Sequence, residues 1–183
     1  MIFPAKEIVL KDGRRCLLRP ASPADAAEMV AFMKRTAGET PFLLRNPDEV
    51  TYTAEEEAEK LREIAADPRC VMLAAVVDGK IAGNSGLGDL GPKRRLRHRC
   101  TMAITLFREY WGLGAGTAMI GYLTQLAQQI GYEQMDLEVV ADNARALALY
   151  RKCGFIESGR RHHAAKLDDG TYQDHILMYK PLI

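Results

Sequence analysis

The sequence of 183 residues lacks the signatures of several large protein classes. No apolar run approaches the ~20 residues that a membrane-spanning helix needs, and the N-terminus lacks a secretory signal pattern. Four widely spaced cysteines form no CxxC pair, so neither a zinc site nor a disulfide framework is predicted. With 25 basic and 24 acidic residues, the chain has no charge excess that would attract nucleic acid or an anionic membrane. We therefore expect one cytoplasmic domain over residues 1–183, with no bound metal.

The chain is instead built of short segments that alternate between strand and helix patterns. A β-hairpin is expected around the turn Lys11–Arg14, and capping boxes at Ser22–Asp25 and Thr53–Glu56 each begin a helix. Further strands and helices follow at Val71–Val77, Lys80–Leu87, Cys100–Phe107, Met119–Ile130, Met135–Val139, Asn143–Gly154, Phe155–Leu167 and Thr171–Tyr179. Antiparallel hairpins around one central strand–helix–strand crossover predict a mixed α/β layered domain and exclude a doubly wound Rossmann sheet.

The segment Trp111–Thr117 is the most informative part of the chain, because its three glycines stand between a strand and an amphipathic helix. Glycines allow backbone conformations that a Cβ forbids and let a ligand approach the main chain. The free N–H groups and the dipole at the start of the next helix favour an anion, and we expect a pyrophosphate. A tight turn without a ligand is the alternative. A P-loop is excluded, because no Lys-Ser or Lys-Thr pair follows the glycines.

This turn, the order of elements and the segment Asn143–Phe155 together resemble the GNAT superfamily of N-acetyltransferases. Gly114 and Gly116 fill the glycine positions of the acyl-CoA motif of that family, although Trp111 stands where the motif usually has Arg or Gln. The second family motif matches at Asn143, Ala146, Leu149, Tyr150, Gly154 and Phe155. The resemblance implies an acyl-CoA N-acyltransferase fold with a mostly antiparallel central sheet, a splayed strand pair and flanking helices.

The resemblance also implies an enzyme that moves an acetyl group from acetyl-CoA to a primary amine by direct attack. Tyr150 would protonate the departing thiolate, although its helical face also fits a core residue. The N–H of Leu106 would polarise the acetyl carbonyl, and the pantetheine arm would pair with a β-bulge near Thr105 and Leu106. Asn143 would bind the pantetheine amides, and it fits a plain helix cap equally well. The residues that the resemblance assigns to acetyl-CoA are Thr105, Leu106, Trp111, Gly112, Leu113, Gly114, Ala115, Gly116, Thr117, Asn143 and Ala146.

The general base and the acceptor are less well defined by the sequence. The acceptor is expected to be a small amine, an amino acid or a protein N-terminus, in a pocket built by the loop Gly38–Val50, the turn Asp89–Pro92 and the final hairpin. Within these segments Glu39, Phe42 and Asp174 are the expected acceptor contacts, because a buried cation needs a carboxylate partner. The strand Cys100–Phe107 carries no carboxylate, so the candidates for the base are a water chain, Glu39, Asp89, His98, Glu138 and Asp174.

Two other functions stay open at this point. A non-catalytic acyl-CoA sensor would keep the glycine turn and need no proton donor, which the presence of Tyr150 argues against. A nucleic-acid-binding module would use the basic run Lys93–Arg99, and its binding would weaken steeply with salt. A symmetric homodimer is a common state for such domains, but no residue in the chain specifies one.

Overall fold

One eight-stranded sheet and four helices make up the computed structural model, which describes residues 1–183. The strands are β1 (Lys6–Val9), β2 (Arg15–Pro20), β3 (Val71–Val77), β4 (Lys80–Asp89), β5 (Arg99–Leu106), β6 (Gln134–Val140), β7 (Ile156–Lys166) and β8 (Tyr172–Pro181). The helices are α1 (Ala26–Glu39), α2 (Ala54–Ala66), α3 (Ala115–Ile130) and α4 (Ala144–Lys152). None of these helices is long and apolar enough to cross a membrane.

The sheet has the strand order β1-β2-β3-β4-β5-β6-β8-β7, and every neighbouring pair is antiparallel except β5 and β6. That parallel pair is short. It begins at Arg99 beside Gln134 and ends at Thr101 beside Asp136, whereas β5 continues to Leu106 and β6 to Val140. The two strands therefore diverge and open the middle of the sheet. The mixed α/β, mostly antiparallel architecture with a splayed strand pair is confirmed.

Local sequence signals set the helix boundaries as expected. The N–H of Ser22 donates to the carboxylate of Asp25 at 2.8 Å, and a short 3-10 turn leads from there into α1. At the start of α2, Thr53 and Glu56 exchange reciprocal side-chain and backbone hydrogen bonds. Helix α3 ends at Gly131, whose φ of 91° is one that glycine adopts without strain. Both predicted capping boxes are confirmed.

Helices cover both faces of the sheet. Gly116 of α3 lies close to the side chains of Ile104 and Leu106, so α3 packs on the face of β5 that carries these residues. Helix α1 packs on the opposite face, where the sulfur of Met29 accepts a hydrogen bond from the amide of Asn84 in β4. The two helical layers leave the gap between β5 and β6 accessible, because neither layer closes the divergence.

A charged pair ties β2 to the start of α1. The guanidinium of Arg19 donates two hydrogen bonds of 2.7 Å to the two carboxylate oxygens of Asp25. Asp25 is only 8% exposed, and the hydrogen bonds from Arg19 hold the pKa of its carboxyl below the usual value. Removing one member of such a pair leaves the other charge partly buried and uncompensated.

Asp25→Asn should lower the free energy of unfolding at neutral pH by roughly 3 kcal/mol, since the Arg19 charge loses its partner. The native carboxyl has a lowered pKa, so its contribution is present above the unfolded pKa of about 4 and is lost as pH falls through the folded value. The difference between wild type and variant, measured by denaturant titration, should therefore close at low pH. Asp12→Asn, which breaks a surface pair with Arg14, is the control and should change little. Equal effects of the two substitutions would contradict this assignment.

Candidate functional site

The diverging ends of β5 and β6 open a cleft of about 1440 Å³. Strands β5, β6 and β8, the glycine turn, α4 and the loop after α1 all contribute side chains to its lining. The segments that carry the two sequence motifs therefore meet at one cavity, although a helix and a strand separate them in the chain. The predicted site residues that line it are Glu39, Phe42, Thr105, Leu106, Trp111, Gly112, Gly114, Gly116, Thr117, Asn143, Ala146 and Tyr150.

The inner edge of β5, which is the edge beside β6, has no partner strand beyond Thr101 and presents unpaired backbone to this cleft. The N–H of Phe107 donates to the carbonyl of Ala82 in β4 at 3.0 Å. Because backbone groups point to alternate sides along a strand, the N–H and carbonyl of Leu106 point away from β4 and towards the cleft. The indole Nε1 of Trp111 donates to that carbonyl at 2.9 Å. The N–H of Leu106 is left free to donate to a ligand.

The expected bulge near Thr105 and Leu106 is wrong. The ladder between β4 and β5 runs without a shift from Asp89 to Gly83, where Gly83 lies opposite Leu106. The irregularity lies one strand away, where Ala82 of β4 is an extra residue against Ala75 and Val76 of β3. A Cβ on Gly83 would come within 2.7 Å of the Thr105 carbonyl, so this glycine allows β4 to approach β5 closely.

The glycines of the turn have different physical roles. Gly112 and Gly114 have φ values of +77° and +96°, which L side chains rarely adopt, and an added Cβ on either would meet no protein atom within 4 Å. Gly116 has no such φ, but its Cβ would lie 3.0 Å from a methyl group of Leu149, so a side chain there would force Leu149 to shift. The first backbone N–H of α3 that has a hydrogen-bond partner is that of Ala118, which donates to the carbonyl of Gly114. The N–H groups of residues 115–117 are therefore free at the helix start.

Cationic side chains surround the turn although Trp111 replaces the usual Arg or Gln. The guanidinium carbon of Arg145, in the first turn of α4, lies 4.6 Å from the centre of the Trp111 ring, and that of Arg108 lies 5.6 Å away. Both arginines line the cleft. The N–H of Lys11 donates to the carbonyl of Leu113 at 3.0 Å and brings a third cation to the same end. The free N–H groups and these cations fit an anionic group such as a pyrophosphate.

Two of the residues that the resemblance assigns to the coenzyme do not line the cleft. Ala115 is 2% exposed and belongs to the hydrophobic core, and Leu113 packs against that core while its carbonyl is bonded to Lys11. Only their backbone groups are candidates for ligand contacts.

Tyr150 and Asn143 lie on the α4 side of the cleft. Tyr150 is 8% exposed and packs edge-on against Phe155, with ring centres 5.7 Å apart. Its hydroxyl has no hydrogen-bond partner in the protein, and burial raises the pKa of Tyr150 to about 12, so the phenol is protonated at neutral pH. The Asn143 side chain accepts a hydrogen bond from the N–H of Ala146 at 3.1 Å. Its predicted role as a helix cap is confirmed, and its contact with pantetheine stays a prediction.

Glu39 lines the cleft, but its carboxylate already has partners. One oxygen accepts from Nε of Arg35 at 3.0 Å, and the other accepts from the N–H of Arg108 at 2.8 Å. These bonds join the end of α1 to the turn that follows β5. Phe42, in the loop after α1, also lines the cleft. Glu39 thus shapes the cleft wall with both oxygens already hydrogen-bonded, and its contact with an acceptor cation stays a prediction.

The expectation that Asp174 borders the cleft is wrong. Its carboxylate accepts hydrogen bonds from Nε of Arg160, from the ring Nδ1 of His162 and from the N–H of His163, all within 2.9 Å. These bonds lower the pKa of Asp174 to about 2 and hold an irregular stretch of β7 between Arg161 and Ala165. Because strand side chains alternate, the next residue of β8 faces the cleft instead.

That next residue, His175, was missed by the sequence analysis. It lines the cleft and is 5% exposed. Its Nδ1 lies 3.4 Å from Oε2 of Glu138 in β6, and its Nε2 is buried without a partner. Alternation along β8 puts His175 and Asp174 on opposite faces, but no residue of the sequence indicates which of these two faces borders the cleft.

Of the remaining candidate bases, only Glu138 lines the cleft. Asp89 lies 3.8 Å from Arg69 at the end of β4, and His98 is exposed in the loop before β5. Oε2 of Glu138 accepts a hydrogen bond of 2.7 Å from Nη1 of Arg161, whereas Oε1 has no partner in the chain. No group of three or more His, Cys, Asp and Glu side chains is arranged to hold a metal ion.

Comparison with known proteins places this chain among acetyltransferases. A sequence model of the Acetyltransferase (GNAT) family matches residues 39–155. The solved GNAT-family acetyltransferase from Streptococcus pneumoniae is 32% identical, with a TM-score of 0.86 over 91% of this chain and 98% of that one. The structure of YncA from Salmonella typhimurium, solved with its cofactor acetyl-CoA, has the same fold at 18% identity, with a TM-score of 0.80 over 92% and 94% of the two chains.

Curated relatives match over only part of their length. Mycothiol acetyltransferase from Clavibacter sepedonicus is 32% identical over 131 residues, which are 72% of this chain and 40% of that protein. The chain spans between 26% and 49% of the length of the curated relatives that it matches.

Gly114→Asn should weaken binding of acetyl-CoA by about tenfold or more, because the new side chain projects from the turn that borders the cleft. Asparagine tolerates a positive φ, so the turn itself should persist. The matched control is Gly170→Asn, at a similar φ of +85° in the turn between β7 and β8, outside the cleft. The acetyl-CoA affinity of each variant is measured by isothermal calorimetry. Equal affinities of Gly114→Asn and Gly170→Asn would exclude the glycine turn as part of the binding site.

Proposed function

Because the chain belongs to the Acetyltransferase (GNAT) family, we propose that it transfers the acetyl group of acetyl-CoA to a primary amine by direct attack. The single observation that carries this proposal is the free inner edge of β5. The N–H of Leu106 faces the same cleft that Tyr150 and Glu138 line. A hydrogen-bond donor for the acetyl carbonyl, an acid and a base can therefore act on one substrate.

The chain offers matching contacts for both ends of the coenzyme. The glycine turn, the start of α3 and the side chains of Lys11, Arg108 and Arg145 form the anionic subsite and would hold the pyrophosphate. The cleft-facing backbone of Ile104 and Leu106 would pair with the amides of the pantetheine arm, as an added strand does. When bound, acetyl-CoA supplies the activated acetyl thioester.

The protein residues then divide the proton transfers of the reaction. An alkylamine is mostly protonated at neutral pH, so Oε1 of Glu138 takes a proton from the acceptor ammonium, and the nitrogen lone pair becomes free to attack. The N–H of Leu106 donates to the carbonyl oxygen as negative charge develops on it. The hydroxyl of Tyr150 gives its proton to the departing sulfur as the C–S bond breaks, which a phenol of raised pKa can do because it is protonated before the reaction. The second proton that the attacking nitrogen loses passes to solvent, from which Tyr150 regains its own.

The part of the cleft that would hold the acceptor amine, around Glu138, is polar and charged. Arg99 binds Asp136 at 2.7 Å on one side, and Arg161 binds Glu138 on the other. Phe42 and the loop after α1 add apolar surface. This mixed wall supports a small amine, an amino acid or a peptide N-terminus as acceptor, each of which combines a cationic nitrogen with other polar groups.

A panel of spermidine, free amino acids and short peptides, assayed by release of free thiol from acetyl-CoA, tests the proposal. Turnover of any acceptor supports it. Tight binding of acetyl-CoA with no transfer to any of the three classes would favour the alternative function, a non-catalytic acyl-CoA sensor.

Tyr150→Phe should reduce the rate of acetyl transfer by a factor on the order of 10² to 10⁴, because it removes the acid and keeps the packed ring. Affinity for acetyl-CoA should be nearly unchanged. The rate is measured in single turnover with saturating acetyl-CoA. An unchanged rate would mean that Tyr150 is a core residue only.

Glu138→Gln should lower the acceptor kcat/KM by a factor on the order of 10² to 10⁴ at neutral pH. The deficit should narrow as pH rises, because more of the free amine is then unprotonated without help from the protein. Glu133→Gln, an exposed position outside the cleft, is the matched control and should behave as wild type. A deficit that is the same at every pH would remove Glu138 from the role of base.

A further inference from the structure

His175 has an environment that core packing alone does not explain. His175 is only 5% exposed, and its Nε2 has no hydrogen-bond partner. A buried polar nitrogen without a partner is destabilising, because it has lost its hydrogen bond to water and gained none in the protein. An apolar residue would avoid this loss in a strand whose buried neighbour is Met178. The contact made by the other ring nitrogen, Nδ1, is therefore the better explanation for a histidine at this position.

That other nitrogen contacts the candidate base. Nδ1 of His175 lies 3.4 Å from Oε2 of Glu138, and Nη1 of Arg161 donates to the same oxygen at 2.7 Å. The three residues come from three adjacent strands, β8, β6 and β7. Both donors reach one carboxylate oxygen, so the carboxylate is held at Oε2 while Oε1 has no partner in the chain.

We propose that His175 is a positioning residue, which orients the Glu138 carboxylate so that Oε1 faces the acceptor amine. The inference rests on the proposed function, in which Glu138 is the base. Nδ1 carries a proton and donates it as a hydrogen bond to Oε2, which leaves Nε2 as an unprotonated, buried acceptor. His175 itself exchanges no proton with the substrate: the N–H bond of the ammonium breaks, and an O–H bond forms at Oε1.

Arg161 alone cannot supply the same constraint. Its side chain is 55% exposed and that of Glu138 is 40% exposed, so solvent weakens the constraint that this one ion pair places on the carboxylate. His175 is held inside the strand pair and fixes the carboxylate from the buried side. The charged groups around the imidazole are Glu138 on β6 and Arg161 on β7, while Asp174 on its own strand binds Arg160 and His162 away from the cleft.

The test uses two substitutions that differ in one hydrogen-bond donor. His175→Leu removes the donor and should reduce the acceptor kcat/KM by roughly tenfold or more, part of the 10² to 10⁴ that a base contributes. His175→Asn places an amide N–H near the position of Nδ1 and should recover most of that loss. Acetyl-CoA affinity, measured by calorimetry, should be unchanged in both. The reference acceptor is whichever of spermidine, the amino acids and the peptides wild type turns over fastest.

The pH profile separates positioning from a purely structural role. The deficit of His175→Leu should shrink as pH rises and the free amine loses its proton, whereas a folding defect would persist at every pH. His98→Leu removes an exposed imidazole and serves as the control. Wild-type kinetics in His175→Leu with a slow Glu138→Gln would overturn the inference and leave the proposed function standing. An inactive wild type would reject the proposed function itself.

Should His175→Leu fail to fold by circular dichroism, His175→Asn and His175→Gln replace it. Glutamine places its amide near Nε2 rather than Nδ1, so the inference requires the asparagine variant to be the faster of the two. Equal rates, or a faster glutamine variant, would overturn it.

Discussion

The early end of the pairing between β5 and β6 is the constraint on which the site depends. Two parallel strands that stayed together would satisfy each other's backbone groups and leave no opening in the sheet. Here the pairing stops after Thr101, so the remaining length of β5 presents hydrogen-bonding groups that no strand of the fold uses. Unpaired backbone in a buried position is unfavourable unless water or a ligand satisfies it. The gap therefore has the free backbone groups that our proposal pairs with the amides of the pantetheine arm.

Most helices and strands of the fold could be predicted from the sequence, because the patterns that indicate them are local. Capping boxes at Ser22 and Thr53 and the alternation of turns with short strands depend on neighbours in the chain, and the structure repeats them within a few residues. The β-bulge was misplaced for the opposite reason. The bulge lies in the pairing of β4 with β3, where Ala82 is the extra residue, and no residue next to Thr105 or Leu106 in the chain indicates that position.

The residues of the candidate site could be predicted from the sequence only where they belong to a family motif. Tyr150 and the glycine turn lie at the cleft as the resemblance implies, although their roles in catalysis and binding stay predictions. The acceptor side has no comparable motif, and there the sequence favoured Asp174 over its neighbour His175. Adjacent residues of a strand face opposite ways, and an irregular partner strand such as β7 hides which of them faces inward.

The replacement of an arginine by Trp111 has a consequence for observation as well as for binding. This is the only tryptophan of the chain, and its indole lies in the cleft, bonded to Leu106 and near the guanidinium of Arg145. Its ultraviolet emission arises from one defined place rather than from an average over the molecule. The protein thus carries one intrinsic fluorophore of this kind, and it lies at the cleft that we propose as the acetyl-CoA site, so the proposed binding can be followed without a label.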